Sequence, residues 1–232
     1  MGLITKQFRL GFGGFVDKPT GPYTKTYEPE IKGIIAQGKN REYTFAYRNY
    51  LALNNDTNAF KNTVLGLNIS FNVDSPECSL EALSQVLSCQ DSIKWRSKNE
   101  ARRIVIVTTD DIFHYSGDGL LGGFTVPYDG KCHMKNNVYD AWNKFDYPSL
   151  SQIRTLLLDN DVVPIFATTG NEALYKKVAE YIGNGAQAQA LLSDSSNIGT
   201  LIRTAYERIA RTVTIDSDVP DNIKIKFTAM CG

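Results

Sequence analysis

Apolar residues along the chain switch repeatedly between a period of two and a helical period. Residues 7–16, Gln-Phe-Arg-Leu-Gly-Phe-Gly-Gly-Phe-Val, largely alternate and run into Asp17-Lys-Pro-Thr, which predicts a strand that delivers a carboxylate into a loop. The polar stretch 18–41, rich in Pro, Gly, Lys and Tyr, predicts a long irregular loop. Residues 42–53 resume a β pattern, with a short helix predicted over 57–65 and a short strand or loop over 67–71. Leu80, Leu83, Val86 and Leu87 share one helical face and predict a helix over 78–89. The run 102–109, Arg-Arg-Ile-Val-Ile-Val-Thr-Thr, is β-branched and apolar on both faces, as in a buried parallel strand, and ends in Asp110-Asp111. A loop over 115–134 is punctuated by Gly117-Asp-Gly and Tyr128-Asp-Gly. A helix from Pro148-Ser-Leu, a buried strand over 162–169, a helix over 171–182 and a strand over 188–192 follow. Ile198, Leu201, Ile202, Ala205 and Ile209 then mark an amphipathic helix. Beyond residue 212 the pattern alternates again, as in half-exposed antiparallel strands, and predicts a short β tail separate from the domain at 1–212.

Buried β-branched strands alternating with helices predict an α/β domain with a mostly parallel sheet. Such sheets bind ligands beyond the carboxyl ends of their strands. Asp17 and Asp110 each follow a strand end, while Asn72, Asp74 and Glu77 crowd the loop before the helix at 78–89. Pro76 fixes its own φ and biases Ser75 away from the α region, so this loop is shaped rather than helical. Oxygen donors on a fixed loop suit a hard cation, calcium above all, which takes about six to eight oxygens. Acidic residues before a first turn also suit a helix dipole, so the loop is decided only by whether the three segments meet.

Composition narrows the field. The 232 residues carry 25 Lys plus Arg and 25 Asp plus Glu, a balance that gives no footprint for nucleic acid or an anionic membrane. No apolar run reaches about 18 residues, so any membrane attachment would come through segments outside this chain. The N-terminal residues lack the layout of a signal peptide. Gly11, Gly13 and Gly14 do not make Gly-x-Gly-x-x-Gly, which disfavours a dinucleotide site; glycines in a strand more often mark a bulge or a close backbone approach. Cys78 and Cys89 would stand roughly 16 Å apart on one helix, too far to bridge. Asn55-Asp-Thr and Asn68-Ile-Ser are glycosylation sequons. His114 and His133 read as structural, since one His in each loop makes neither a zinc triad nor a general base.

Taken in order, several motifs resemble an integrin β subunit, in its ligand-binding domain of von Willebrand factor A (VWA) type. They are Phe8-Arg-Leu-Gly-Phe-Gly-Gly-Phe-Val-Asp-Lys-Pro19, Asp74-Ser-Pro-Glu77, Thr108-Thr-Asp110, Gly117-Asp-Gly-Leu-Leu-Gly-Gly123, Tyr128-Asp-Gly-Lys-Cys-His133, Asp146-Tyr-Pro-Ser-Leu150, Ile165-Phe-Ala-Thr168 and Ser195-Ser-Asn197. The resemblance implies a cell-surface adhesion receptor subunit that pairs with an α subunit and takes an acidic side chain of an extracellular ligand through bound cations, without catalysis. Asp17, Asn72, Asp74, the Pro76 carbonyl and Glu77 would hold calcium; Glu77 and Asp110 would reach a central magnesium. Cys89 and Cys132 match a bridged pair. Cys231 matches a cysteine bonded further along the chain, where the tail would begin the hybrid domain.

The departures are specific. The family's Asp-x-Ser-x-Ser loop, with most central-metal ligands, belongs before residue 1, together with a first strand that sits between those at 7–16 and 102–109. A third metal site lacks its acidic pair, and at Ser193 would use only a carbonyl. The specificity loop's cysteine pair is absent from 18–41. Leu120 stands where the family has Lys or Arg plugging the α subunit, and Cys78 replaces a glycine. These differences leave two other readings: a divergent relative that keeps the fold without binding ligand, and, last, a metal-dependent α/β hydrolase, for which no activated nucleophile or acid–base pair is in view.

Overall fold

In the computed structural model, residues 7–36 and 41–211 are described. Seven strands and seven helices appear among them: β1 (Leu10–Phe15), α1 (Glu28–Ala36), β2 (Tyr47–Asn54), α2 (Thr57–Leu65), α3 (Ser79–Ser88), α4 (Gln90–Ile93), β3 (Arg103–Thr109), β4 (Met134–Lys135), β5 (Val138–Tyr139), α5 (Leu150–Asp159), β6 (Val162–Thr168), α6 (Glu172–Ile182), β7 (Gln187–Ala190) and α7 (Ile198–Arg211). This is an α/β fold with a parallel sheet flanked by helices. The tail beyond residue 211 lies outside the described residues.

The sheet comes in two pieces. One is β1-β2-β5-β4, antiparallel throughout; the other is β3-β6-β7, parallel throughout. The break falls between β1 and β3, where the resemblance places a further strand. Its consequence is visible in burial. All seven residues of β6 are buried, as a central parallel strand requires, but in β3 only Val107 is. Both strands carry the same apolar pattern; among the described residues β3 has a strand neighbour on one side only, and its side chains are half-covered.

Helix α3 joins the pieces. Eight of its ten residues are buried, and Leu80, Leu83 and Leu87 pack with Val107, Phe166, Ile153 and Tyr175 in the main core. The apolar face was legible; the burial of the polar face was not. Gln85 donates to Tyr128 Oη at 2.9 Å and accepts from the His133 amide at 2.8 Å, while Ser84 Oγ donates to the Glu81 carbonyl. Polar groups tolerate burial when each finds a partner, and these do. A second, aromatic cluster of Tyr23, Tyr47, Tyr139 and Tyr147 packs around Cys78 and Ala82 on the same helix.

Two expectations need correction. The stretch 18–41 is not all loop, because α1 occupies 28–36. Pro29 in a first turn with Glu28 and Glu30, followed by Ile31, Ile34 and Ile35, was the signal for it. The β pattern at 42–53 pairs only from Tyr47. Glycine in β1 does mark a bulge and a close approach: the register shifts on both sides of Phe12, and a Cβ at Gly13 would lie 2.7 Å from the Tyr47 ring.

Candidate cation site at the strand ends

Three segments meet at one rim. Asp17 follows β1 by two residues, Asp110 directly follows β3, and the loop 72–77 enters α3. Their meeting is fixed by backbone: the Cys78 amide donates to the Val16 carbonyl at 2.9 Å, and the Glu77 amide to the Ile112 carbonyl at 2.9 Å. The loop before α3 therefore bridges the break between the two sheet pieces. Asn72 Nδ2 donates to the Asp74 carbonyl at 3.1 Å and to Glu77 Oε1 at 3.2 Å, so the predicted Asn72, Asp74 and Glu77 form one hydrogen-bonded turn around Pro76.

His114, read from sequence as structural, lies at the centre of this rim. Its Nε2 stands 3.2 Å from Asp17 Oδ2 and 3.1 Å from Asp74 Oδ2, and Nδ1 stands 3.0 Å from Asp118 Oδ2. The ring stacks on Tyr147 with centroids 4.4 Å apart. Asp17 is wholly buried, with Oδ1 accepting from Tyr147 Oη at 2.6 Å and the Lys18 amide at 2.7 Å. Asp118 opens a 3-10 turn, Asp118–Gly122, held from below by Asp146, which accepts from the amides of Gly117 and Gly119 at 2.7 and 2.8 Å. A Cβ on Gly119 would fall 2.3 Å from Asp146 Oδ1, which explains the glycine there. The signal for His114 was its place five residues past a strand end, in a loop that also carries Asp118.

A sealed layer lies beneath. Lys18 is fully buried; its Nζ donates to Glu81 Oε1 at 2.6 Å and to the Trp142 carbonyl at 2.7 Å, within 4.7 Å of the Tyr147 ring centroid. Cys78 Sγ reaches Glu81 Oε2 and Asp17 Oδ1 at 3.2 and 3.4 Å. Cys78 is buried and unbonded, and burial pushes its thiol up, away from the reactive thiolate.

Electrostatics at the rim are those of crowded acids. Burial, then the charges of Asp17, Asp110 and Asp74, push Glu77 up to about 8 against the hydrogen bond from Asn72. Burial and Asp17 raise Asp74 as well. Burial disfavours a charged His114, yet its hydrogen bonds and attraction to Asp17, Asp118 and Asp74 outweigh that and lift it to about 9. One oxygen, Asp74 Oδ1, is buried with no hydrogen-bond partner. An orphaned carboxylate oxygen among raised acids is an acceptor set short of positive charge, and its oxygen donors fit a hard divalent ion.

A family profile for the integrin beta chain VWA domain matches residues 1–213. The chain belongs to that family. It is 37% identical to integrin beta-2 of Sus scrofa over 99% of its own length and 30% of the relative's. Against integrin beta-PS of Drosophila melanogaster and integrin beta-1 of Gallus gallus it is also 37% identical, over 98% of its own length and 26% and 28% of theirs. The chain thus spans about a third or less of the curated relatives it matches.

Within this integrin β domain, the sequence-predicted residues fall into two groups. Asp17, Asn72, Asp74 and Glu77 are brought together, with Pro76 half-buried at the turn between them. Asp110 stands at the outer margin, exposed, and its charge acts on Glu77. Cys89 and Cys132 are disulfide-bonded with Cα atoms 4.8 Å apart. Asn55 and Asn68 are exposed, as glycan acceptors must be. Leu120 and Leu121 project from the 3-10 turn, 58% and 74% exposed. No helix among the described residues is long and apolar enough to cross a membrane.

Proposed function

We propose that this domain serves an integrin β-type adhesion receptor subunit at the cell surface, and that it engages extracellular ligands through bound divalent cations. Calcium is the ion proposed for Asp17, Asn72, Asp74, the Pro76 carbonyl and Glu77. It would neutralise carboxylates that otherwise repel one another and would satisfy Asp74 Oδ1. Asn72 and His114 would then release the N–H groups they now direct at the same oxygens. Magnesium is proposed beside Glu77 and Asp110, which supply only part of its shell; most of the family's central-metal ligands are not among these residues, and a ligand's acidic side chain would add one more. The chemistry is recognition: an ion bridges two sets of oxygens, and no bond is made or broken.

An α subunit is the proposed partner, with the 3-10 turn at Asp118–Gly122 as its contact. Leu120 and Leu121 make that contact apolar, a knob held rigid by Asp146. The observation that carries the proposal is the convergence of Asp17, Asn72, Asp74 and Glu77 on one turn around an unsatisfied carboxylate oxygen.

Calorimetric titration of the chelator-stripped chain with calcium tests it. One calcium is expected to bind, and Asp74→Ala and Glu77→Ala each to weaken it at least about tenfold, the scale seen when metal-site supports are removed. Calcium binding unchanged in both variants would end the assignment. The reading as a non-binding relative of this family would gain if the wild-type chain took up no calcium at all.

A further inference from the structure

We propose that Asp17, Asp74 and His114 form a nitrogen-containing site for a borderline divalent ion of the zinc class, as an alternative to calcium at the same rim. The proposal rests on this loop being a cation site and names a second class of ion for it. Calcium takes oxygen ligands, whereas imidazole nitrogen suits zinc and its neighbours in the transition series. His114 brings such a nitrogen to the two carboxylates that the calcium set also uses.

Three features make His114 a ligand in waiting rather than a bystander. Its Nε2 faces Asp17 Oδ2 and Asp74 Oδ2 at 3.2 and 3.1 Å, and the ligand atoms of all three residues lie within 4.8 Å of one another. With metal–ligand bonds of about 2.0–2.1 Å, the edges of a tetrahedron are about 3.3 Å, so the two edges at His114 Nε2 need to part by only tenths of an ångström, and the third lies within 4.8 Å. The other ring nitrogen is anchored on Asp118 Oδ2 at 3.0 Å, outside the three, in the carboxylate–histidine arrangement that fixes the tautomer and orientation of metal-binding imidazoles. Finally, Asp74 Oδ1 is buried without a partner, so the carboxylate that would bridge the calcium and zinc sets has capacity to spare.

The two sets overlap in Asp17 and Asp74 and differ elsewhere. Asn72 and Glu77 serve only the oxygen set, and His114 only the nitrogen set, so the ions compete and each can be weakened alone. Zinc would have three protein ligands and a fourth position left to water or to a ligand's side chain.

The test uses the full 232-residue chain, stripped of metal, with Ca2+, Zn2+ and Co2+ as probes. Wild-type protein is expected to give the intense visible bands of four-coordinate Co2+, lost on adding Zn2+. His114→Gln should weaken Zn2+ at least about tenfold and change Ca2+ less than about threefold; Asn72→Ala and Glu77→Ala should do the reverse. His133→Gln, at the domain's other described imidazole, should leave all three ions unchanged. Weak six-coordinate Co2+ bands in the wild type would overturn the proposal, and this readout stands even if His114→Gln does not fold. So would Zn2+ affinity indifferent to His114→Gln, or equal loss of both ions in that variant. Failure of the calcium reading is separate: it would show as Ca2+ affinity indifferent to Asn72→Ala and Glu77→Ala.

Discussion

At the scale of single residues, the rim is a set of carboxylates held together by protons and N–H groups, and its stability must therefore depend on pH. Glu77 in the folded protein is raised to about 8 from 4.5, and His114 to about 9 from 6.5. Both groups bind protons more tightly when folded. The native state thus holds more protons than the unfolded chain, and stability falls as pH rises. The contribution of His114 is complete below about pH 6.5 and is lost as pH passes about 9. Urea midpoints of the metal-free chain should accordingly drop between pH 6 and pH 9; His114→Gln should remove roughly half of that drop, the rest belonging to Glu77. Saturating calcium should flatten or reverse it, because ions and protons compete for the same oxygens. A flat profile without metal would mean the acids are not coupled as drawn. Asp17, Asp74 and Glu77 were legible in the sequence because each sits at a strand end or a proline-shaped turn. His114 was not, because its role depends on Asp17, Asp74 and Asp118, which are between 4 and 97 residues away along the chain.

At the scale of elements, α3 carries the architecture, and what pins its far end is the Cys89–Cys132 bond. Cys89 closes the last turn of the helix, its amide donating to the Gln85 carbonyl at 2.9 Å. Cys132 belongs to the loop that Gln85 and Ser88 also hold, through Tyr128, the His133 amide and the Gly130 carbonyl. The bond closes a separation of 43 residues, which in the chain-entropy model stabilises the fold by about 4 kcal/mol. Cys89→Ser with Cys132→Ser should lower the unfolding free energy by about that amount, read from denaturant midpoints with and without the bond. A loss well under 1 kcal/mol would mean that the side-chain hydrogen bonds alone hold the loop. The helices α2 and α5 were legible because periodicity and caps agree, as in the Ser149–Gln152 capping box of α5, while α6 and α7 were legible from periodicity. Helix α1 was hidden inside a polar stretch rich in Pro, Gly and Lys: its Ile31, Ile34 and Ile35 share a face, but the helix is only nine residues long and only Ile31 of it is buried. The half-covered state of β3 could not be read at all: its residues spell a buried strand, and exposure comes from what does not lie beside it.

At the scale of the whole molecule, that missing neighbour governs behaviour. Among the described residues β1 pairs with β2 and β3 with β6, and no described strand lies along the two edges that face the break. The loop 72–77 and helix α3 close the break at its ends but donate no ladder along it. None of Ile104, Val105 and Ile106 in β3 is fully buried, and from Ile104 to Thr109 the strand has no proline or charge to blunt its edge, the one charge, Arg103, standing at its first residue. Natural edges of this kind recruit another strand. The 232 residues expressed alone should therefore associate as concentration rises, with sedimentation velocity showing species beyond the monomer. Replacing Ile104 and Ile106 with Lys, a gatekeeper change that leaves the main core at Val107 intact, should shift the population back toward monomer. Sheet pairing supplies the mechanism in that account, so slowed amide exchange across 103–109 should accompany association and vanish in the lysine variant. If the wild-type chain instead stays monomeric at high concentration, with a single sharp unfolding transition, α3 covers the break better than the strand pairing implies. The two-piece sheet would then be a stable end state for these residues rather than a frame awaiting a strand.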